Sequence, residues 1–160
     1  MQKISWALVV ILGLSTGFMV NKFILSGSAE ESEDGRLVIE LTANERDFIL
    51  LEMRAFLGSV QQITQGVASN NFDTVVKAAS AAGLASQEEV PGALIAKLPL
   101  EFKKLGFDTH AQFTQLALDA EQLGDSEYTM GQLGTLLQNC VTCHAAFKFE
   151  IKQPNNLPSN

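Results

Sequence analysis

Apolar residues at Ile49, Met53, Phe56, Val60, Ile63 and Val67 recur at alternating steps of four and three. That spacing lays side chains along one face of an α-helix and excludes a half-buried strand, which would alternate every second residue. Thr42-Ala43-Asn44-Glu45 stands just ahead of the stripe and has the form of a capping box, with Thr42 as N-cap and Glu45 reaching back. Gly66 and the polar run Ser69-Asn70-Asn71 close the segment.

Three further segments read the same way. One runs from Asn71 to about Ala82, with Phe72, Val75, Val76 and Ala79 apolar and Gly83 as a stop. Another begins near Asp108 and carries Phe113, Leu116, Ala117, Ala120 and Leu123 until Gly124-Asp125-Ser126 breaks it. The last starts around Ser126 and holds Leu133, Leu136, Leu137, Cys140, His144 and Phe147. Between the second and third, Ser86-Gln87-Glu88-Glu89 reads as another capping box, opening a short piece bracketed by Pro91 and Pro99. Leu37-Val38-Ile39 is too short and isolated to read as a strand. The expected fold class is therefore all-α, an antiparallel four-helix bundle over residues 42–153, with a polar tail at 154–160.

Residues 1–29 read differently. Lys3 precedes an uncharged, mostly apolar run from Ile4 to Val20, which Phe23-Ile24-Leu25 extends. The small residues Gly27-Ser28-Ala29 suit cleavage after Ala29, as in a signal peptide. Yet the run through Leu25 approaches the ~20 residues that span a bilayer. Residues 1–29 are thus expected to be a signal peptide or an N-terminal membrane anchor through residues 4–25, with a buried N-terminal helix as the alternative, and Glu30 to Leu41 as an acidic linker. Either exported form places the rest in the periplasm, soluble or held at the cytoplasmic membrane. A net charge of -7 and the absence of any dense basic run argue against nucleic acid as a partner.

Both cysteines lie in one window, Cys140-Val141-Thr142-Cys143-His144. A redox dithiol of the thioredoxin kind would need a neighbouring βαβ pattern, which is missing. As half of a zinc site the pair needs further ligands, and only His110 and His144 are available with these cysteines. A local disulfide in an oxidising compartment leaves His144 without a role. In Cys-x-x-Cys-His, by contrast, the two thiols form thioethers with the vinyl groups of haem, and the histidine becomes the proximal ligand of the iron. Cys140 and His144 are four apart and share a helix face, with Cys143 beside them. Covalent heme c, one per chain, is the expected cofactor.

A bundle with Cys-x-x-Cys-His near the end of its last helix resembles the cytochrome c′ family and its low-spin relatives. The resemblance covers roughly residues 40 to 150. The family motif continues with an aromatic and a basic residue, matched by Phe147 and Lys148. The stretch LLEMRAFLGSVQQI resembles the family's first helix and puts Met53 at the position facing the open side of the iron. That position is a methionine ligand in low-spin members and a non-coordinating apolar residue in cytochrome c′ proper. Ile49 stands where the family often has an arginine near the haem propionates; Arg46 is the nearest substitute. The resemblance also implies a homodimer through the first two helices.

From the residues alone, Met53 is either core filler or a soft thioether ligand. Met130 lies ten positions before Cys140 on the same helix, about 15 Å up its axis, too far to reach iron held by His144. His110 is the rival sixth ligand, with a packing role as its alternative. Lys148 is a candidate partner for a propionate. Phe56, Phe113 and Phe147 are candidate haem walls, or plain core, and Glu52 and Arg54 are expected to face water or a dimer seam. No catalytic constellation stands out. With both axial positions filled, a haem has no vacant site for substrate, so the first reading is a non-enzymatic electron carrier serving redox protein partners. A five-coordinate haem binding NO or CO is the alternative. A haem-free bundle with a structural disulfide is the third.

Overall fold

The computed structural model describes residues 2–27 and 29–151, so the expected tail at 154–160 and Ser28 of the small-residue stretch lie outside the described residues. The chain is mainly helical, with a small three-stranded sheet. In order come α1 (Gln2–Val20), a π-helical turn (Asn21–Ser26), β1 (Ala29–Glu31), β2 (Leu37–Leu41), α2 (Ala43–Ala68) and α3 (Phe72–Ala81). A 3-10 turn (Leu84–Glu89), α4 (Gly92–Ile95), α5 (Leu100–Leu123), α6 (Ser126–Ala146) and β3 (Phe147–Ile151) follow.

The capping box forms as the residues require. Glu45 N–H donates to Thr42 Oγ1 at 3.3 Å, and Thr42 N–H donates to Glu45 Oε2 at 2.9 Å. Lys97 Nζ adds a 2.7 Å ion pair to Glu45, and its hydrogen bonds hold the Glu45 carboxyl below its ordinary pKa. Asn71 caps α3 through Thr74 N–H and Asp125 caps α6 through Tyr128 N–H. Gly124 ends α5 in the left-handed region at φ 57°, where a side chain would be strained.

Helix α2 packs on α3, α3 on α5, α5 on α6, and α6 back on α2. Their shared core contains Ile63, Val67, Val75, Phe113, Leu116, Leu133 and Leu136. A second apolar cluster lies at the sheet end and contains Ile39, Leu41, Ile49, Leu94, Leu98 and Phe147. The N-terminal half of α2 shares this second cluster with the C-terminal end of α6, and its C-terminal half meets the earlier part of α6 in the first. The two helices therefore run antiparallel.

Three expectations change. The first concerns the sheet. Residues 30–41 carry β1 and β2, and the residues after Ala146 leave the helix as β3; β2 is the central strand, antiparallel to β1 and parallel to β3. The chain is therefore not all-α. Phe147, Lys148, Phe149, Glu150 and Ile151 alternate apolar and polar, the period of a strand, and pair with Leu37 through Leu41. Phe147 and Phe149 turn onto Phe102, with ring centroids at 5.4 and 5.7 Å. The β1–β2 turn is closed by Asp34, which accepts from the Ser32 hydroxyl at 2.6 Å and from the Arg36 guanidinium at 2.7 Å. These bonds, Arg36 first, hold its carboxyl well below the usual range.

Second, α5 starts at Leu100 behind Pro99, not near Asp108. Its extra first turns supply Phe102 and Leu105 to the sheet-end cluster. Third, the Ser86 hydroxyl donates to Gly83 O at 2.8 Å instead of capping a helix. In α1, every side chain described, from Trp6 to Val20, is exposed. Among the described residues, no helix is long and apolar enough to cross a membrane.

Ile39 is fully buried in the central strand. Ile39→Ala is expected to lower stability by about 2–5 kcal/mol. Urea unfolding followed by circular dichroism checks this, and a drop below 1 kcal/mol (roughly the cost of an exposed substitution) would mean that the sheet does not hold the two helix ends.

Candidate functional site

Cys140 and Cys143 lie on the last turns of α6, where those turns cross from one apolar cluster to the other. Cys140 packs against the helical core, together with Phe56, Val60 and Leu137. Cys143 packs against the sheet-end cluster, together with Met53 and Ala146. Met53 and Cys143 thus share one apolar environment although ninety positions separate them in sequence. The antiparallel register of α2 and α6 brings them level.

Both thiols are free and half-buried. Burial pushes the Cys140 thiol up, and burial with Cys140 as a neighbour pushes Cys143 up to about 11. His144 is on the outer side of α6 and exposed, and no hydrogen bond to its ring is made among the described residues. Val141, one turn before His144 on α6, is 65% exposed, and Leu57, one turn after Met53 on α2, is 69% exposed.

His110 is placed apart from these groups. It is buried on α5, with Nδ1 at 2.9 Å from Ala82 O and 3.2 Å from Ser86 Oγ. Its Nε2 lies 3.3 Å from Glu52 Oε1, and its ring meets Phe56 edge-on at 4.8 Å. Both ring nitrogens are engaged within the fold. Glu52, expected to face water or a dimer seam, instead turns inward to His110. Arg54 is exposed, and Arg46 pairs with Asp47 at 2.8 Å.

Lys148 lies on β3, not one helical turn beyond His144, with Asp34 at 3.6 Å and Glu150 at 3.4 Å. Phe56 stacks on fully buried Phe113 at 5.5 Å. Ile49, at the position where an arginine was looked for, is buried in the sheet-end cluster. Met130 is exposed on the earlier part of α6.

No family model, curated protein or solved structure matches the chain. The site therefore has to be judged on its own chemistry. Among the described residues, no three His, Cys, Asp or Glu side chains converge as a metal-ion site. Cys143 packs towards the sheet-end cluster while His144 is exposed, so these donors do not converge on one point as the structure places them. The Glu52–His110 contact escaped the sequence reading, since nothing in either segment marks the other as its neighbour.

A Cys143 thiol displaced to about 11 holds roughly a hundredfold less thiolate near pH 8 than an ordinary thiol. Iodoacetamide should therefore label Cys143 slowly at pH 8 and fast only as the pH approaches 11. Mass spectrometry of the labelled peptides checks this, and equal rates for Cys143 and a free cysteine at pH 8 would contradict its burial.

Proposed function

We propose that the chain is a c-type monohaem cytochrome, a four-helix bundle of the cytochrome c′ kind built from α2, α3, α5 and α6, which carries single electrons. The observation that carries this reading is the common cluster of Met53 and Cys143, with Cys140 one turn away on α6. Haem bound there supplies reversible one-electron chemistry between ferric and ferrous iron.

The chain's own residues have separable roles in this reading. Cys140 and Cys143 hold the group by thioether bonds, and their half-burial keeps that attachment off the open surface. His144, whose ring has no competing hydrogen bond among the described residues, is the proximal ligand. Met53 is the sixth ligand, a soft thioether in an apolar setting that favours a high potential. His110 is the weaker candidate for that position, because ligation would cost it contacts on both nitrogens. Leu57 and Val141 cover the group and exclude water, and Phe56 backs it from the core. Lys148 already has carboxylate partners, which weakens its assignment to a propionate.

The location belongs to the same reading. The exposed apolar side chains of α1 support residues 1–29 as the segment that sends the remainder to the periplasm or keeps it at the membrane's outer face. Redox protein partners would meet the carrier in a small, transient contact. Exposed Leu51 on the other side of α2 supports a homodimer through that helix.

The test is an absorption spectrum of protein made in a host that matures c-type cytochromes, oxidised and reduced, with and without CO. The expected spectrum is low-spin, insensitive to CO, with the weak far-red band of methionine-to-iron ligation, and Met53→Ala abolishes that band. A high-spin spectrum that shifts with CO would replace electron transfer with gas binding. Colourless protein would leave a haem-free helical domain.

A further inference from the structure

Along α2 the buried side chains are Ile49 near its start and Ser59, Ile63 and Val67 in its second half. The stretch from 50 to 58 buries none completely, yet it contains Met53. Buried Ile49 and Ser59 on either side set which way the continuous helix faces here, and contacts made inside the stretch decide how tightly Glu52 and Met53 keep that facing.

The fixed point opposite it is His110. This side chain is 3% exposed, and it binds three elements at once. On one side, Nδ1 faces Ala82 O at 2.9 Å and Gly83 O at 3.3 Å, at the C-terminal end of α3. That end is itself seated on α5: Leu84 N–H donates to Thr114 Oγ1 at 3.0 Å, and a methyl group at Gly83 would come within 2.6 Å of the same oxygen. On the other side, Nε2 reaches Glu52 at 3.3 Å and the ring edge meets Phe56 at 4.8 Å. Glu52 and Phe56 are one turn apart on α2, so the two contacts fix rotation and not only distance. Met53 follows Glu52 by about 100° around the helix. With Glu52 held by His110, Met53 faces the cluster that also receives Cys143.

We propose that His110 is a positioning residue, which clamps Glu52 and Phe56 and thereby holds the Met53 thioether in the apolar cluster it shares with Cys143. This deepens the reading of Met53 as an iron ligand and rests on that reading for its spectral consequence alone. The placement of Met53 is a property of the polypeptide and can be measured without haem.

The experiment uses the full chain in haem-free and haem-loaded forms, with His110→Phe, Glu52→Leu and Glu52→Gln. Phenylalanine keeps the ring packing and removes the polar contacts; leucine removes the carboxylate and leaves His110 in place; glutamine keeps a polar partner. In haem-free protein labelled at the methionine methyls, His110→Phe and Glu52→Leu should shift the Met53 resonance and remove its cross-peaks to the sheet-end cluster. Met130, on another helix, should stay unchanged. Glu52→Gln should retain the wild-type Met53 signal. In the loaded protein, the first two variants should lose the far-red band and gain CO binding, with haem still attached. Unchanged Met53 signals in folded His110→Phe and Glu52→Leu would overturn the proposal. If His110→Phe does not fold, Glu52→Leu decides. If the wild type takes up no haem, the ligand reading fails, and the methyl signals still decide the positioning.

Discussion

The parallel pairing of β2 with β3 sets the register on which the candidate site depends. Only Thr42 separates β2 from α2, and no residue separates α6 from β3. Pairing Leu37 with Phe147 and Leu41 with Ile151 therefore locks the start of α2 to the end of α6. Parallel neighbours need a long crossover, and here the helical body from α2 to α6 is that crossover. Buried Ile39, Leu41 and Phe147 anchor the pairing. A slip of the strands would carry Met53 away from the level of Cys143, so the site inherits its geometry from a sheet that contributes none of its candidate ligands.

Above that register the interior is divided, and the division has a use. The helical core around Phe113, Leu116, Leu133 and Leu136 is closed and fully buried. The seam towards the sheet is not: Met53, Phe56, Cys140 and Cys143 are all half-buried along it. Cys140 sides with one cluster and Cys143 with the other, as do Phe56 and Met53. The well-packed core can stabilise the domain while the side chains along the adjoining seam stay half-buried.

Helix α2, its capping box, the start of α6 around Ser126 and the Cys140–His144 window were all legible, because each is written in a local pattern of three to four residues. What the pattern hid is instructive. Phe147 fits both the helical step from His144 and the alternation Phe147, Phe149, Ile151, and only the distant partner strand decides between them. The early start of α5 is masked by Gly106, since glycine costs a helix about 1 kcal/mol and reads as a break; Phe102 packing on Phe147 and Phe149 outweighs that cost. The inward turn of Glu52 had no local signal at all. Its partner sits on another helix, and a carboxylate on α2 looks solvent-facing until α5 is laid against it.

The charges near the seam bear on what a redox group there would experience. Arg46 is paired with Asp47, Lys97 with Glu45, and Lys148 lies between Asp34 and Glu150. Ile49 is buried in the sheet-end cluster and contributes no charge. On the proposed reading, the oxidised, more positive state is then not opposed by a nearby unpaired cation on these residues, and a net charge of -7 favours it further. Thioether ligation from Met53 and apolar burial act the other way, since both favour the reduced state. On that reading the potential would be a balance between ligand and surface charge, and Met53 would be the larger lever because it would touch the iron directly while the paired carboxylates act through solvent, where screening weakens them beyond about 10 Å.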